Sequence, residues 1–164
     1  MIAMALSCEP RLVIADEPTT ALDVTVQAQI LDLIADLGEQ SNMALILVSH
    51  DLAVIAQNCA RVLVMYSGMT MESGRTQDVL ARPAHPYTKA LLEARPRVSA
   101  PRGERLHAIA GAAPSADAMP KGCPFAGRCP LTIEACRLAP PAPVTLRGDH
   151  TARCIRIDAA ERLA

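Results

Sequence analysis

As far as Ala94, apolar residues fall into two rhythms. Leu12–Ala15 and Met43–Val48 are short unbroken apolar runs, the pattern of strands covered on both faces. Between them Val26, Ile30, Leu33, Ile34 and Leu37 recur at helical spacing, which predicts a helix over Leu22–Leu37 closed by Gly38. Met1–Leu6 reads as the end of a helix, closed by a turn at Ser7–Pro10. Asp51 is expected to cap a short helix that runs to Asn58. Arg61–Tyr66 and Met69–Glu72 read as strands flanking a Ser67–Gly68 hairpin turn. Thr76 is expected to cap a helix over Gln77–Ala81, and Pro86 to start another running to Ala94. Strands alternating with helices predict an α/β fold, a parallel sheet with flanking helices and an antiparallel pair at one end. From Pro96 to Lys121 the rhythm is lost and the chain reads as an extended connector. GCPFAGRCPLTIEACR follows, opening an irregular cysteine-containing extension that runs to the end of the chain.

Composition sharpens that division. Residues 1–94 carry five basic and eleven acidic side chains, net -6; residues 95–164 carry eleven and six, net +5. Nine of the thirteen prolines fall in the second part, so a boundary is placed near Arg95–Pro101. Three regions result: 1–94, a linker over 95–122, and the cysteine-rich extension 123–164. The chain's aromatic residues are Tyr66, Tyr87 and Phe125, so a core built from Leu, Ile, Val, Ala and Met is expected. No apolar run approaches the roughly 18 residues that span a bilayer, and the N-terminus lacks the pattern of a secretion signal. The six cysteines are therefore expected in a reducing compartment. The basic residues of the tail lack interleaved aromatics and form no tight run, which argues against nucleic-acid binding.

The stretch LVIADEPTTALD drives an apolar strand straight into Asp16 and Glu17. In a parallel sheet, ligands bind beyond the carboxyl ends of the strands. The second strand ends in Ser49, His50 and Asp51, and neighbouring strands lie about 4.8 Å apart, so these groups could converge. An Asp suits Mg²⁺, a neighbouring carboxylate can polarise an attacking water, and an imidazole can hydrogen-bond a terminal phosphate. Taken alone, the Asp-Glu pair also fits acids at a helix start or turn.

LVIADEPTTALD, VTVQAQILDLI and LILVSHD in this order resemble the C-terminal half of an ABC-transporter nucleotide-binding subunit, a partial P-loop NTPase sheet. The resemblance covers about residues 1–94. It implies that Asp16 helps hold Mg²⁺, that Glu17 is the catalytic base for water, and that His50 contacts the γ-phosphate of ATP. Asp23 would belong to the loop that couples two sites across a dimer. ARVLVMYSGMTMESG and VLARPAHPYTKALLEARP narrow the resemblance to ATPase subunits of dipeptide, oligopeptide and nickel importers. HPYTKALL is the most telling element; read physically, it is a proline-started packing helix with no chemistry of its own. The resemblance further implies a second ATPase subunit, membrane permease subunits, and a peripheral place on the cytoplasmic face of the cell membrane.

An ATP site needs a glycine-rich loop whose backbone N–H groups and lysine hold the phosphates. No GxxxxGK[ST] and no LSGGQ-type signature occurs in the sequence. By the resemblance, the chain starts just past the signature, as an internal start in a longer frame or a truncated gene would. The missing N-terminal half of the domain is then an expected partner, and the chain alone is expected not to hydrolyse ATP.

Cys123, Cys129, Cys136 and Cys154 are separated by five, six and seventeen residues, in a proline-rich region with few apolar residues. Such a region commonly needs a metal or cross-links for stability. Zinc, an iron–sulfur cluster and unliganded thiols all remain open on composition; disulfides are disfavoured by the compartment. The resemblance extends here too and implies a [4Fe–4S] cluster; His150 could substitute as a ligand, but it is read as a surface histidine. Cys8 and Cys59 sit in apolar contexts and are expected in the core. Two classes of function follow: an energy-coupling ATPase subunit, or a non-enzymatic module whose cysteine tail binds a cluster or metal and associates with an intact transporter subunit. An unstable remnant of such a gene is a third. An upstream reading frame that encodes the phosphate loop and signature separates the first from the others.

Overall fold

A computed structural model describes residues 2–20, 22–95 and 108–161. The chain forms two units, Met1–Cys59 and Ala60–Ala164. In the first, α1 (Ile2–Leu6), β1 (Leu12–Asp16), α2 (Val24–Ser41), β2 (Ala44–Val48) and α3 (Leu52–Asn58) follow one another. The two strands pair in parallel, from Leu12 opposite Ala44 to Asp16 opposite Val48. Helix α2 passes through Gly38 and stops at Ser41, where Asn42 takes the left-handed conformation (φ 50°) and closes it. Asn supplies the same backbone freedom that was expected of the glycine. The strands are not covered on both faces. Leu12, Ile14, Ala44, Ile46 and Val48 alternate along the strands and are exposed, Ile14 by 65%. A sheet two strands wide leaves one pleat face without a neighbouring layer inside this unit.

The second unit holds β3 (Arg61–Tyr66), β4 (Met69–Arg75), α4 (Thr76–Ala81), α5 (Pro86–Glu93), a 3₁₀ turn at Ala116–Ala118, α6 (Ala135–Leu138), β5 (Val144–Arg147), β6 (His150–Ala152) and α7 (Ile157–Glu161). Ser67 and Gly68, both at positive φ, make the hairpin turn between β3 and β4 as their sequence predicts. Thr76 lies inside α4 rather than capping it, and Arg75 occupies the cap position without a side-chain bond. The extension is more regular than its composition suggests. It contributes β5 and β6 to an antiparallel sheet of order β3-β4-β6-β5, with Glu72 opposite Ala152 and Ser73 opposite Thr151. Part of the expected connector, residues 96–107, lies outside the described residues.

The core of this unit corrects the expectation of an all-aliphatic interior. Tyr66, Tyr87 and Phe125 form one cluster, with ring centroids 4.7 Å apart for the tyrosines and 5.3 and 5.2 Å from Phe125 to each. Such tilted and edge-on contacts add to the area that the rings bury. Met71, Cys123, Ala126 and Cys136 complete the cluster. Gly122 lets the extension close on itself: a Cβ there would collide with the carbonyl oxygen of Cys136. Among the described residues no helix is long and apolar enough to cross a membrane.

Candidate functional site

Strand β1 delivers Asp16 as its last residue, exposed, and Glu17 just beyond it. The Glu17 N–H donates to the Val48 carbonyl of the neighbouring strand at 2.9 Å. Pro18 disfavours the right-handed helical region for the residue before it, and Glu17 sits at φ 44°. A non-glycine residue at positive φ is a strained conformation of the kind found at functional sites. His50 lies two residues past β2, and its Nδ1 is 3.0 Å from Glu17 Oε1. Thr20 donates its hydroxyl to the other carboxylate oxygen, Oε2, at 2.8 Å. The Thr20 bond, and after it the His50 bond, hold the Glu17 carboxyl below its ordinary pKa. The pair faces solvent, with 42% of the Glu17 side chain and 78% of the His50 side chain exposed.

Glu17 and His50, which the sequence suggested could converge, are in contact although they lie 33 positions apart along the chain. Asp23 stands at the start of α2. Its Oδ1 accepts from the Val26 N–H at 2.9 Å and caps α2. Asp51 caps α3 in the same way, through Ala53 N–H at 2.7 Å, as its sequence position predicts. Chemically, the arrangement offers an ionised carboxylate that can take a proton from water. Beside it stand an imidazole and, at Asp16, a hard oxygen donor suited to Mg²⁺.

In the second unit Cys123, Cys129, Cys136 and Cys154 line one cavity of about 20 Å³ together with His85 and Thr132. None of the chain's six cysteines is in a disulfide; Cys8 is exposed rather than in the core, and Cys59 is half-buried. Burial raises the thiol pKa of Cys123 and Cys129 and pushes that of Cys154 up to about 11. Burial thus disfavours the thiolate form at these three cysteines. Among the described residues Thr132 Oγ1 is buried without a hydrogen-bond partner, and no group of three or more His, Cys, Asp or Glu is arranged to hold a metal ion.

A polar network that the sequence reading missed lies beside this cavity. Glu72, 1% exposed, accepts from Ala84 N–H at 2.7 Å, from His85 N–H at 3.0 Å and from His150 Nε2 at 2.7 Å. His150 is therefore not a surface residue; it is 6% exposed and paired. His85 accepts from Tyr87 N–H through Nδ1 at 3.0 Å and so caps α5. The ring must then carry its proton at Nε2, and burial holds its pKa down to about 4. The HPY segment is thus more than a packing helix. A lone acid in the strand MTMESG and a histidine ahead of a proline were the available signals.

The sequence family described as Oligopeptide/dipeptide transporter, C-terminal region, matches residues 71–136. The oligopeptide transport ATP-binding protein OppD of Escherichia coli is 55% identical over 141 residues, covering 86% of this chain and 42% of that protein. OppD of Salmonella typhimurium gives the same figures of 55%, 86% and 42%. AppD of Bacillus subtilis is 46% identical over 154 residues, 94% of this chain and 47% of that protein. The chain spans about half the length of the curated relatives it matches. With the motif order of its first unit and the HPY segment of its second, the chain belongs, for the portion of such a protein that it covers, to the family of ATP-binding subunits of ABC-type peptide importers.

Proposed function

We propose that the chain supplies the hydrolytic half of an ATP site that powers peptide import. Residues 1–94 act as the C-terminal half of a nucleotide-binding domain of the P-loop type, and residues 123–164, beyond the linker 95–122, as its cysteine-containing extension. The observation that carries this reading is the Glu17–His50 pair, 3.0 Å apart at the carboxyl ends of two parallel strands. Glu17 accepts a proton from the attacking water as its oxygen bonds to the γ-phosphorus and the bond to ADP breaks. His50 steadies the transferring group, and Asp16 is one of the ligands of Mg²⁺. Asp23, the cap of α2, belongs to the loop that couples two such sites across a dimer. The phosphate-holding loop and signature come from another polypeptide segment, a second ATPase subunit completes the dimer, and permease subunits hold the assembly on the cytoplasmic face of the membrane.

The test is assembly of the chain with a polypeptide that carries the GxxxxGK loop and signature, followed by a phosphate-release assay. ATP hydrolysis that Glu17→Gln abolishes while nucleotide still binds is the expected result. Hydrolysis indifferent to Glu17 and His50 would leave the alternative, a non-enzymatic module bound to an intact transporter subunit.

A second reading concerns the thiol cavity. Four thiols around one chamber are the kind of ligand that a four-thiolate metal or [4Fe–4S] group takes, although as placed they are not arranged to hold a metal ion. A chamber of about 20 Å³ has room for one water, so its walls would have to part to seat a cluster. When bound, such a group supplies a staple for a region with a small core, and Cys123, Cys129, Cys136 and Cys154 are its ligands. Anaerobic reconstitution with iron and sulfide tests it: visible charge-transfer absorption lost in Cys129→Ser supports it, and a colourless product opposes it.

A further inference from the structure

The geometry points to Thr20 as a positioning residue for the catalytic carboxylate, its hydroxyl setting the orientation in which Glu17 faces His50. This inference rests on the reading of Glu17 as the base. The two oxygens of Glu17 are engaged from opposite sides, Oε1 by His50 at 3.0 Å and Oε2 by Thr20 at 2.8 Å. A threonine hydroxyl in a turn usually bonds nearby backbone. Here the turn is closed without it, since the Thr20 N–H donates to the Glu17 carbonyl at 3.1 Å. The hydroxyl is therefore left for the carboxylate, three residues back along the chain.

The placement matters because the site is open to solvent. A glutamate side chain as exposed as this one has many rotamers, and His50, more exposed still, cannot hold it alone. The backbone of Glu17 is already fixed by its bond to Val48 and by its left-handed conformation. Thr20 extends that order to the carboxylate itself. Base and imidazole then meet nucleotide as one preset unit, which is what orientation contributes to a hydrolytic rate. Removing the hydroxyl leaves the turn and both reacting groups in place, but not their mutual orientation.

Two measurements test this, on the wild type, Thr20→Val, Thr20→Ala and Thr20→Ser. The first uses the chain itself, labelled with ¹⁵N at histidine and held at about pH 9, where imidazole is neutral. The wild type and Thr20→Ser are expected to show His50 mainly protonated at Nδ1, bonded to Glu17. Thr20→Val and Thr20→Ala are expected to shift it toward the Nε2–H form, with unchanged far-ultraviolet circular dichroism. The second uses the assembled ATPase. Thr20→Val is expected to lower kcat about tenfold with KM unchanged, and Thr20→Ser to restore most of it. An unchanged His50 tautomer in both hydroxyl-free variants overturns the inference, as does a serine variant no better than valine. Hydrolysis that survives Glu17→Gln rejects the reading of Glu17 as base, while the tautomer measurement still judges Thr20's hold on the carboxylate.

Discussion

The chain carries two glutamate–histidine pairs of the same chemistry in opposite surroundings. Glu17 and His50 in the first unit meet at 3.0 Å with much of both side chains in water. Glu72 and His150 in the second meet at 2.7 Å, with 0% and 8% of their side chains exposed. Solvent screening makes the first pair worth little to stability and leaves its carboxylate available to react. Burial makes the second expensive to break, because each partner would be left in a low-dielectric interior without compensation. Glu72 also satisfies two backbone N–H groups ahead of α5. The first pair is the one proposed above for chemistry, and the second ties β4, β6 and the HPY turn together.

The sharpest test of that contrast is to remove each acid. Glu72→Ala is expected to cost the second unit about 3–5 kcal/mol, as loss of one partner of a buried pair does. Tyr66 and Tyr87 both lie in that unit and the chain has no tryptophan, so tyrosine fluorescence during urea unfolding reads it selectively. Glu17→Gln is expected to leave amide exchange in α2 and α3, which reads the first unit, unchanged, and to remove hydrolysis from the assembled ATPase of the proposed function. Equal destabilisation by the two changes would break the comparison.

Acid should separate the units next. His85 is held to about pKa 4 in the folded state, against 6.5 for a free imidazole. The unfolded chain then binds more protons between those values. Stability from the neutral ring is complete above about pH 6.5 and is lost as pH falls to about 4, by about 3 kcal/mol. Glu17 has the opposite ionisation but the same sign. Its lowered pKa gives a contribution present above the ordinary carboxylate range and lost only below it. Tyrosine-detected stability should therefore decline through pH 6 and 5, before Glu17 titrates; a flat profile down to pH 4.5 would contradict the burial of a neutral His85.

Packing gives a smaller effect. Gly122→Ala would press a methyl group onto the backbone of Cys136 and Arg137, costing about 1–3 kcal/mol if the backbone can yield. An alanine variant with wild-type stability would show that this approach is not tight. Smallest are the helix caps of the first unit. Asp23→Ala and Asp51→Ala should each cost about 1 kcal/mol, seen as faster amide exchange in α2 and α3 with the tyrosine signal unaltered.

Much of the first unit was legible because its signals are local. Apolar runs mark β1 and β2, helical spacing marks α2, and the acids and histidine stand directly after the strands whose parallel pairing brings them together. The end of α2 was misplaced because Gly38 and Asn42 both fit a left-handed closure, and only the course of the helix selects between them. The second unit was less legible. Strands β5 and β6 are four and three residues long, too short for alternation to stand out, and they are held by pairing, β6 with β4 and β5 with β6. Thr20 escaped notice because a threonine in a turn is unremarkable until its hydroxyl is seen on a particular carboxylate.

By itself the sequence determined the alternation of strands and helices, the motif order that places the chain in its family, and the chemical kinds of its acids, histidines and thiols. Each of these follows from spacing along the chain. The tertiary structure decided which groups are wet and which are dry. It put His150 in the interior, made His85 a neutral cap, gathered four distant thiols around one chamber and left Glu17 in solvent. Burial depends on residues far apart in sequence coming together, and the dielectric that surrounds each glutamate–histidine pair sets how strongly its partners are bound to one another.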